Sequence, residues 1–211
     1  MATPIAASLT AEDPSTHSLA RRLLIFLIGR RVAVSMVLFA CIIISDIFIV
    51  PMRPRNIANV MNPFVATGLL LVLFGLIMRS WAAGTLRKVK RLATTGPYAV
   101  VRNPLYVGSF LMMLGFCTLV NDPHTIWVVL GPMFGLYWLA VRDEEQILAM
   151  RYPADWPAYK RAVPRFFPNR FTLPSAAGWS LAQWRKNHEF NAWHGALAAL
   201  VMLRLWWVMG W

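Results

Sequence analysis

Residues 104–141 read PLYVGSFLMMLGFCTLV, then NDPH, then TIWVVLGPMFGLYWLAV. Two uncharged apolar runs, Pro104–Val120 and Thr125–Val141, are thus separated only by Asn121, Asp122, Pro123 and His124. At about 1.5 Å of rise per helical residue, each run covers most of a ~30 Å hydrocarbon core, and extension into its flanks supplies the remainder. So short a link allows only an antiparallel helical hairpin. The stretch therefore reads as two membrane spans.

Working outward, Val32–Val50 and Pro63–Met78 are further apolar runs, which makes four core spans. A fifth candidate, Ala192–Trp211, is interrupted by His194 and Arg204 and fits either a C-terminal span or a tryptophan-rich membrane anchor. Leu19–Arg31 fits an interfacial helix leading into the first span. The expected fold is an all-α polytopic transmembrane bundle. Its parts are a cytoplasmic N-terminal segment (1–31), a membrane domain (32–168), and a C-terminal linker with a Trp-rich helix (169–211). Composition agrees: 58% of the 211 residues are hydrophobic and mean hydropathy is +0.51. Such a chain is too apolar for disorder. Cys41 and Cys117 lie in apolar runs and read as packing residues, not a disulfide framework.

The charge needs a separate account, because 21 Lys+Arg face 9 Asp+Glu for a net +12. Four basic residues precede the first span, six lie between the second and third, and eight follow the fourth. Only Arg53, Arg55 and Arg204 fall elsewhere. Eighteen of the 21 therefore share one side, which the positive-inside rule makes cytoplasmic, along with the N-terminus. Topology explains the excess without a nucleic-acid partner. Asp46 reads as lying near the outer end of the first span, within reach of water or Arg53. The alternative is a functional intramembrane acid.

The chemistry-bearing residues gather just inside the membrane. Gly96-Pro97-Tyr98 marks a turn, and Arg102-Asn103-Pro104 reads as a helix start, with Asn at the N-cap and Pro at the first helical position. Free backbone N–H groups beside the Arg102 charge would suit a carboxylate or phosphate. A plain end cap and anchor is the alternative. At the other end of the hairpin stand Asp143-Glu144-Glu145, three of the chain's nine acids on its basic side. Adjacent helical residues point about 100° apart, so one of Glu144 and Glu145 at most faces a given ligand squarely. Tyr152 to Pro168, rich in aromatic, basic and proline residues, suits an interfacial cap over a pocket or a surface anchor.

These residues carry a resemblance. Leu76-Ile-Met-Arg79-Ser-Trp81-Ala82, Gly96-Pro-Tyr98 and Arg102-Asn-Pro-Leu-Tyr106-Val-Gly108 resemble the isoprenylcysteine carboxyl methyltransferase family. So do Glu144-Glu145, then Leu148, Tyr152 and Tyr159, and the Pro164-Arg-Phe-Phe-Pro168 ending. The wider superfamily takes in phospholipid N-methyltransferases and, more distantly, sterol reductases. The resemblance runs from Gly68 to Pro168 and implies S-adenosylmethionine as cofactor. It implies cofactor contacts at Gly96, Pro97, Tyr98, Arg102, Asn103, Pro104, Tyr106, Gly108, Glu144 and Glu145. Arg102, Tyr106 and Glu145 are the expected catalytic residues; no metal site is expected. Asn103 stands where the family often has His and cannot titrate near neutrality. Pro153 replaces a common Gly.

On this resemblance the acceptor is lipidic or prenylated and enters from the bilayer, while the cofactor enters from the cytoplasm. A carboxylate acceptor needs no general base but wants a cation, and Arg79, Arg102 and Arg165 are available. Arg79, Tyr159 and Arg165 are the expected substrate contacts. An amine acceptor must first lose a proton, and in the matching region the only His is His124, on the far side. O-methylation is therefore the expectation, with phospholipid amine N-methylation or non-catalytic anionic-lipid binding as alternatives. In the last helix Gly195 and Ala199 give small-xxx-small spacing, suited to bundle packing or a homodimer.

Overall fold

The computed structural model describes residues 37–38, 40–41, 44–45, 53–87, 92–169 and 178–210. The six described positions of the first expected span are helical, with Val37 and Ile44 exposed. Asp46 and the expected interfacial helix at Leu19–Arg31 lie outside the described residues. Among the described residues every regular element is helical.

The first complete helix, α1 (Pro63–Thr85), starts where Asn62 accepts from the backbone N–H groups of Phe64 and Val65, with proline in the first turn. It outruns the apolar stretch that announced it, continuing past Met78 for nearly two turns. Ala82 and Ala83 in that extension are almost fully buried. Small residues let the C-terminal segment pack there: Trp179 lies where a Cβ on Gly84 would be. The Asn187 side-chain amide donates to the carbonyls of Ala83 (2.7 Å) and Leu86 (2.9 Å). Carbonyls at a helix end need such partners.

Helix α2 (Pro104–Val120) packs antiparallel on α1. Two glycine pairs bring the backbones together: a Cβ on Gly75 would stand 2.5 Å from the Gly108 carbonyl, and one on Gly115 2.6 Å from the Gly68 carbonyl. Inside a membrane, where lipid is as apolar as the helices, this close approach is what holds them. The hairpin turn follows. Asn121 takes a left-handed conformation (φ 66°), and the Asp122 carboxylate accepts from the N–H groups of His124 and Thr125 and from the Thr125 hydroxyl.

Helix α3 (Pro123–Arg151) carries one wide π turn at Val129–Met133. Pro132 accounts for it, because proline supplies no N–H and its ring crowds the preceding carbonyl. Helix α4 (Trp156–Ala162), a strap over 163–168 and helix α5 (Leu181–Lys186) lie at one end of the bundle.

Helix α6 (Phe190–Met209) runs antiparallel to α1 along its length. At one end Glu189 bonds Arg79; at the other Arg204 donates to Asn56 (2.8 Å) and Arg53 to the Gly210 carbonyl (2.9 Å). Arg204, an interruption in the sequence, thus finds a polar partner at the bundle's end and also lies over Trp207. Ala196, Leu203 and Trp206 share a core with Val65, Val72, Leu76, Phe116 and Leu119. A Cβ on Gly195 would meet nothing within 4 Å, so the buried small residue is Ala196. Helices α1, α3 and α6 are long and apolar enough to cross a membrane, and α2 is a shorter apolar helix. This is a membrane protein.

Candidate functional site

The segments that the charge pattern puts on one side, 92–103, 142–168 and 178–190, converge on one end of the bundle. There Gly96 opens a short 3₁₀ turn with φ 59°; a Cβ on it would press on Thr85 (3.1 Å), so glycine suits both the angle and the space. The turn buries Pro97 and Tyr98, and the Tyr159 hydroxyl donates to the Tyr98 carbonyl at 2.8 Å. The strap crosses the next residues, with the Arg102 N–H donating to the Pro164 carbonyl at 2.8 Å.

Asn103 occupies the N-cap position of α2 and Pro104 its first turn, but the Asn103 side chain caps nothing. Its amide donates instead to Glu145 Oε1 (3.2 Å) and the Arg165 carbonyl (3.4 Å). The buried Glu145 is the hub of this cluster. Arg165 donates to both its oxygens, Nε to Oε1 at 3.1 Å and Nη2 to Oε2 at 2.6 Å. Arg102 Nη1 stands 3.2 Å from Oε1 as an ion pair, in poor alignment for a hydrogen bond. Trp156 and Trp138 cover the two guanidinium groups, Arg102 at 5.8 Å and Arg165 at 4.9 Å.

Glu144, one residue back, turns elsewhere and accepts from the Tyr106 hydroxyl at 2.8 Å. The helical divergence of adjacent acids therefore gives each its own partners. Arg79 does not join the Glu145 hub. It donates from Nε and Nη2 to the two oxygens of Glu189 (2.8 and 3.0 Å) and from Nη1 to Ser109 Oγ (2.6 Å). Gly108 lies in the α1–α2 contact, where a Cβ would strike the Gly75 carbonyl and Arg79.

Two side chains keep buried polar atoms without hydrogen bonds. Arg102 Nε and Nη1 are buried without hydrogen bonds, and so is the hydroxyl of Tyr98, itself 7% exposed. Buried polar atoms without hydrogen bonds are costly, which makes this end the candidate site. A carboxylate suits the open edge of Arg102. Burial, and secondarily the fields of Tyr159, Glu144 and Glu189, push the Tyr98 phenol well above its usual value, with Arg79 opposing. Tyr98 is thus a neutral hydroxyl at physiological pH. Tyr159 is raised by burial too, with Arg102 opposing and Glu145 adding. A depression of about 350 Å³ at Arg87, Ser180, Gln183 and Lys186 touches none of these residues. The atoms without hydrogen bonds lie apart from that depression.

Sequence reasoning brought together Tyr98, Arg102, Asn103, Tyr106, Glu144, Glu145, Tyr159 and Arg165. It did not single out Glu189, Ser109 or Trp138, while Trp156 fell within the expected cap. Glu189 had one available signal: it is one of the few acids on the basic side, immediately before the last helix.

Residues 63–155 match the phospholipid methyltransferase family, which supports a place for this segment in the membrane methyltransferase superfamily. Two relatives bear metal-resistance names. The chain is 29% identical over 200 residues to the cobalt-zinc-cadmium resistance protein CzcN of Cupriavidus metallidurans, covering 92% of this chain and 89% of that one. It is 35% identical over 107 residues to the nickel-cobalt-cadmium resistance protein NccN of Alcaligenes xylosoxydans xylosoxydans, covering 49% of each. No solved structure matches.

Proposed function

We propose that the chain is an S-adenosylmethionine-dependent methyltransferase acting on a lipidic acceptor at the cytoplasmic face of a membrane. The carrying observation is the buried Arg102 edge, ion-paired to Glu145 but without hydrogen bonds, beside a Tyr98 hydroxyl that also makes none, at one end of an apolar bundle. When bound, the cofactor supplies a methyl group on a positively charged sulfur. The protein's own residues then need only hold, orient and exclude water. Arg102 receives the amino-acid carboxylate, and Tyr98 and Tyr106 line the polar wall. The acceptor enters from the bilayer, and the surplus of basic residues at this end orients it toward the cytoplasm.

The geometry shifts the choice of acceptor. Arg79 and Arg165, two of the three cations offered to a carboxylate, are already paired with Glu189 and Glu145. That arrangement, with the family match, favours an amine-bearing phospholipid and N-methylation. Methylation of a lipid or prenylated carboxylate, the isoprenylcysteine-type reaction, is the second reading. The relatives' names favour it: an ester removes an anionic group that would attract divalent cations to the membrane surface.

The test is equilibrium binding of labelled S-adenosylmethionine to detergent-purified protein, followed by transfer to membrane lipid extract. Saturable binding that weakens in Arg102→Ala and Glu145→Ala is expected. Base-labile label in the lipid identifies an ester, and base-stable label an amine. Absence of saturable binding refutes the proposal and leaves non-catalytic binding of anionic lipid.

A further inference from the structure

The depression at the end of α1 shares no residue with the site described above. About 350 Å³ in volume, it is lined by Arg87, Ser180, Gln183, Lys186, Asn187 and His188, and is large enough for a small polar ligand. Its charge has one sign. The chain has no acid between Asp46 and Asp122 or between Asp155 and Glu189, the two stretches that supply the lining, and Glu189 itself is buried against Arg79. Among the described residues neither Arg87 nor Lys186 has an ion-pair partner. The walls are held in place by long-range bonds. The Ser180 N–H donates to the Gly84 carbonyl (3.0 Å), the Asn187 amide holds the Ala83 and Leu86 carbonyls, and Trp179 fills the space over Gly84. His188 closes the lining in a left-handed conformation (φ 55°), uncommon for a residue with a side chain. The Ser180 hydroxyl accepts from the Gln183 N–H (3.5 Å), which leaves its own O–H to donate. A positive-inside orientation accounts for the sign of these charges but requires neither a hollow nor a fixed wall around them.

We propose that this depression binds a phosphomonoester group, apart from the candidate methyl-transfer site and independently of that reading. Such a group carries about −1.5 to −2 charges near neutral pH and several strong acceptor oxygens, which matches two cations, a hydroxyl and the Gln183 amide. A carboxylate or a phosphodiester brings a single charge and leaves one cation unopposed. Arg87 offers planar, paired donors and Lys186 a mobile point charge, two complementary ways of gripping phosphate. Position selects the carriers. Leu86 and Arg87 directly follow α1, a helix long and apolar enough to cross a membrane, so the hollow lies where lipid headgroups meet water. A headgroup with a terminal phosphate reaches it from the side, and a soluble phosphomonoester from the aqueous phase.

The experiment is calorimetric titration of full-length detergent-purified protein with short-chain phosphatidate, short-chain phosphatidylglycerol and glycerol 3-phosphate. Phosphatidate should bind saturably and more tightly than phosphatidylglycerol, which is a diester. Arg87→Gln and Lys186→Gln should each weaken it by about tenfold, the worth of a charged hydrogen bond in a partly open site. Both side chains are exposed, so the fold should survive, and either variant alone carries the test. Lys160→Gln removes the same charge from an exposed position at the same end of the bundle, away from the lining, and should leave affinity unchanged. Comparable binding of glycerol 3-phosphate assigns the site to a soluble phosphomonoester; binding of phosphatidate alone assigns it to a lipid headgroup. Equal affinity for phosphatidate and phosphatidylglycerol, or equal loss in all these variants, shows diffuse attraction to a basic face and overturns the inference. Absence of saturable binding by either phosphomonoester overturns it as well. No methyl donor is present, so this outcome and that of the methyltransferase test are separate.

Discussion

The two ends of the bundle treat the same kinds of polar residue in opposite ways. At the end holding 53–62, 118–124 and 204–210, side chains finish helices. Asn62 caps α1 and Asp122 caps α3. Arg53 and Arg55 reach the terminal carbonyls of α6 and α2, at Gly210 (2.9 Å) and Thr118 (3.0 Å). At the other end, Asn187 and Ser180 still finish α1 and α5, but two longer helices forgo their N-caps. Asn103 and Glu189 stand at N-cap positions and turn away to Glu145 and Arg79, and Arg102 keeps two buried nitrogens without hydrogen bonds. A cap stabilises a helix by roughly 0.5–2 kcal/mol, so forgoing two of them while leaving an arginine edge unpaired runs against stability. One end is finished by its own residues; the other keeps buried polar groups without hydrogen bonds.

The comparison can be broken most forcefully at its hub. Glu145→Ala strands Arg102 and Arg165, and loss of one partner from a buried ion pair costs about 3–5 kcal/mol. Arg165 is partly exposed, so the lower part of that range is expected, read as a fall in thermal midpoint in detergent together with loss of cofactor binding. An unchanged midpoint would show that Glu145 does not hold the hub. Arg102→Met separates the two properties. Cofactor affinity should drop about tenfold to a hundredfold, the worth of a charged hydrogen bond or more. Stability should hold or rise, because a buried unpaired edge is removed while Arg165 and Asn103 still satisfy Glu145. A destabilised Arg102→Met protein with normal affinity would reverse the assignment of this end.

Effects at the finished end should be smaller and confined to stability. Asp122→Ala is expected to cost about 1 kcal/mol with cofactor binding unaltered. Burial alone would raise the Asp122 carboxyl, but hydrogen bonds from His124 and Thr125 prevail and hold it below the usual carboxylate range. The stability it contributes is therefore complete above the ordinary carboxylate value and is lost as pH falls through the lowered one. Asp122→Asn should flatten the acid limb of the stability curve, and an unaltered limb would contradict the role. Smallest is Arg53→Gln, an exposed contact with a helix C-terminus, where a change under about 1 kcal/mol and no change in binding are expected.

What the sequence disclosed follows from the range of the forces involved. Lipid demands long uncharged runs, so the hairpin at 104–141 was legible from composition alone. The extension of α1 through Ser80–Thr85 was not, because those residues are covered by Trp179 and Asn187, about a hundred positions away. The same holds for Arg79 with Glu189, which meet across 110 residues and obey no local period. Asn103 misled in a useful way: its sequence context signals a cap, and tertiary partners outbid the helix N-terminus. That Glu144 and Glu145 diverge was readable from helix geometry; which neighbour each would face was not.

That last choice is made at a distance. The wide turn at Val129–Met133 absorbs one residue more than an α-helical turn, so every later side chain of α3 lags by one step, about 100° in rotation. Counted along an uninterrupted α-helix, the direction of Arg102 belongs to Glu144; the lag hands it to Glu145. Pro132 thus acts as a phase setting for the acids downstream. A Pro132→Ala protein that closed the wide turn would advance each later residue by one step, turning Glu144 toward Arg102 and Asp143 toward Tyr106.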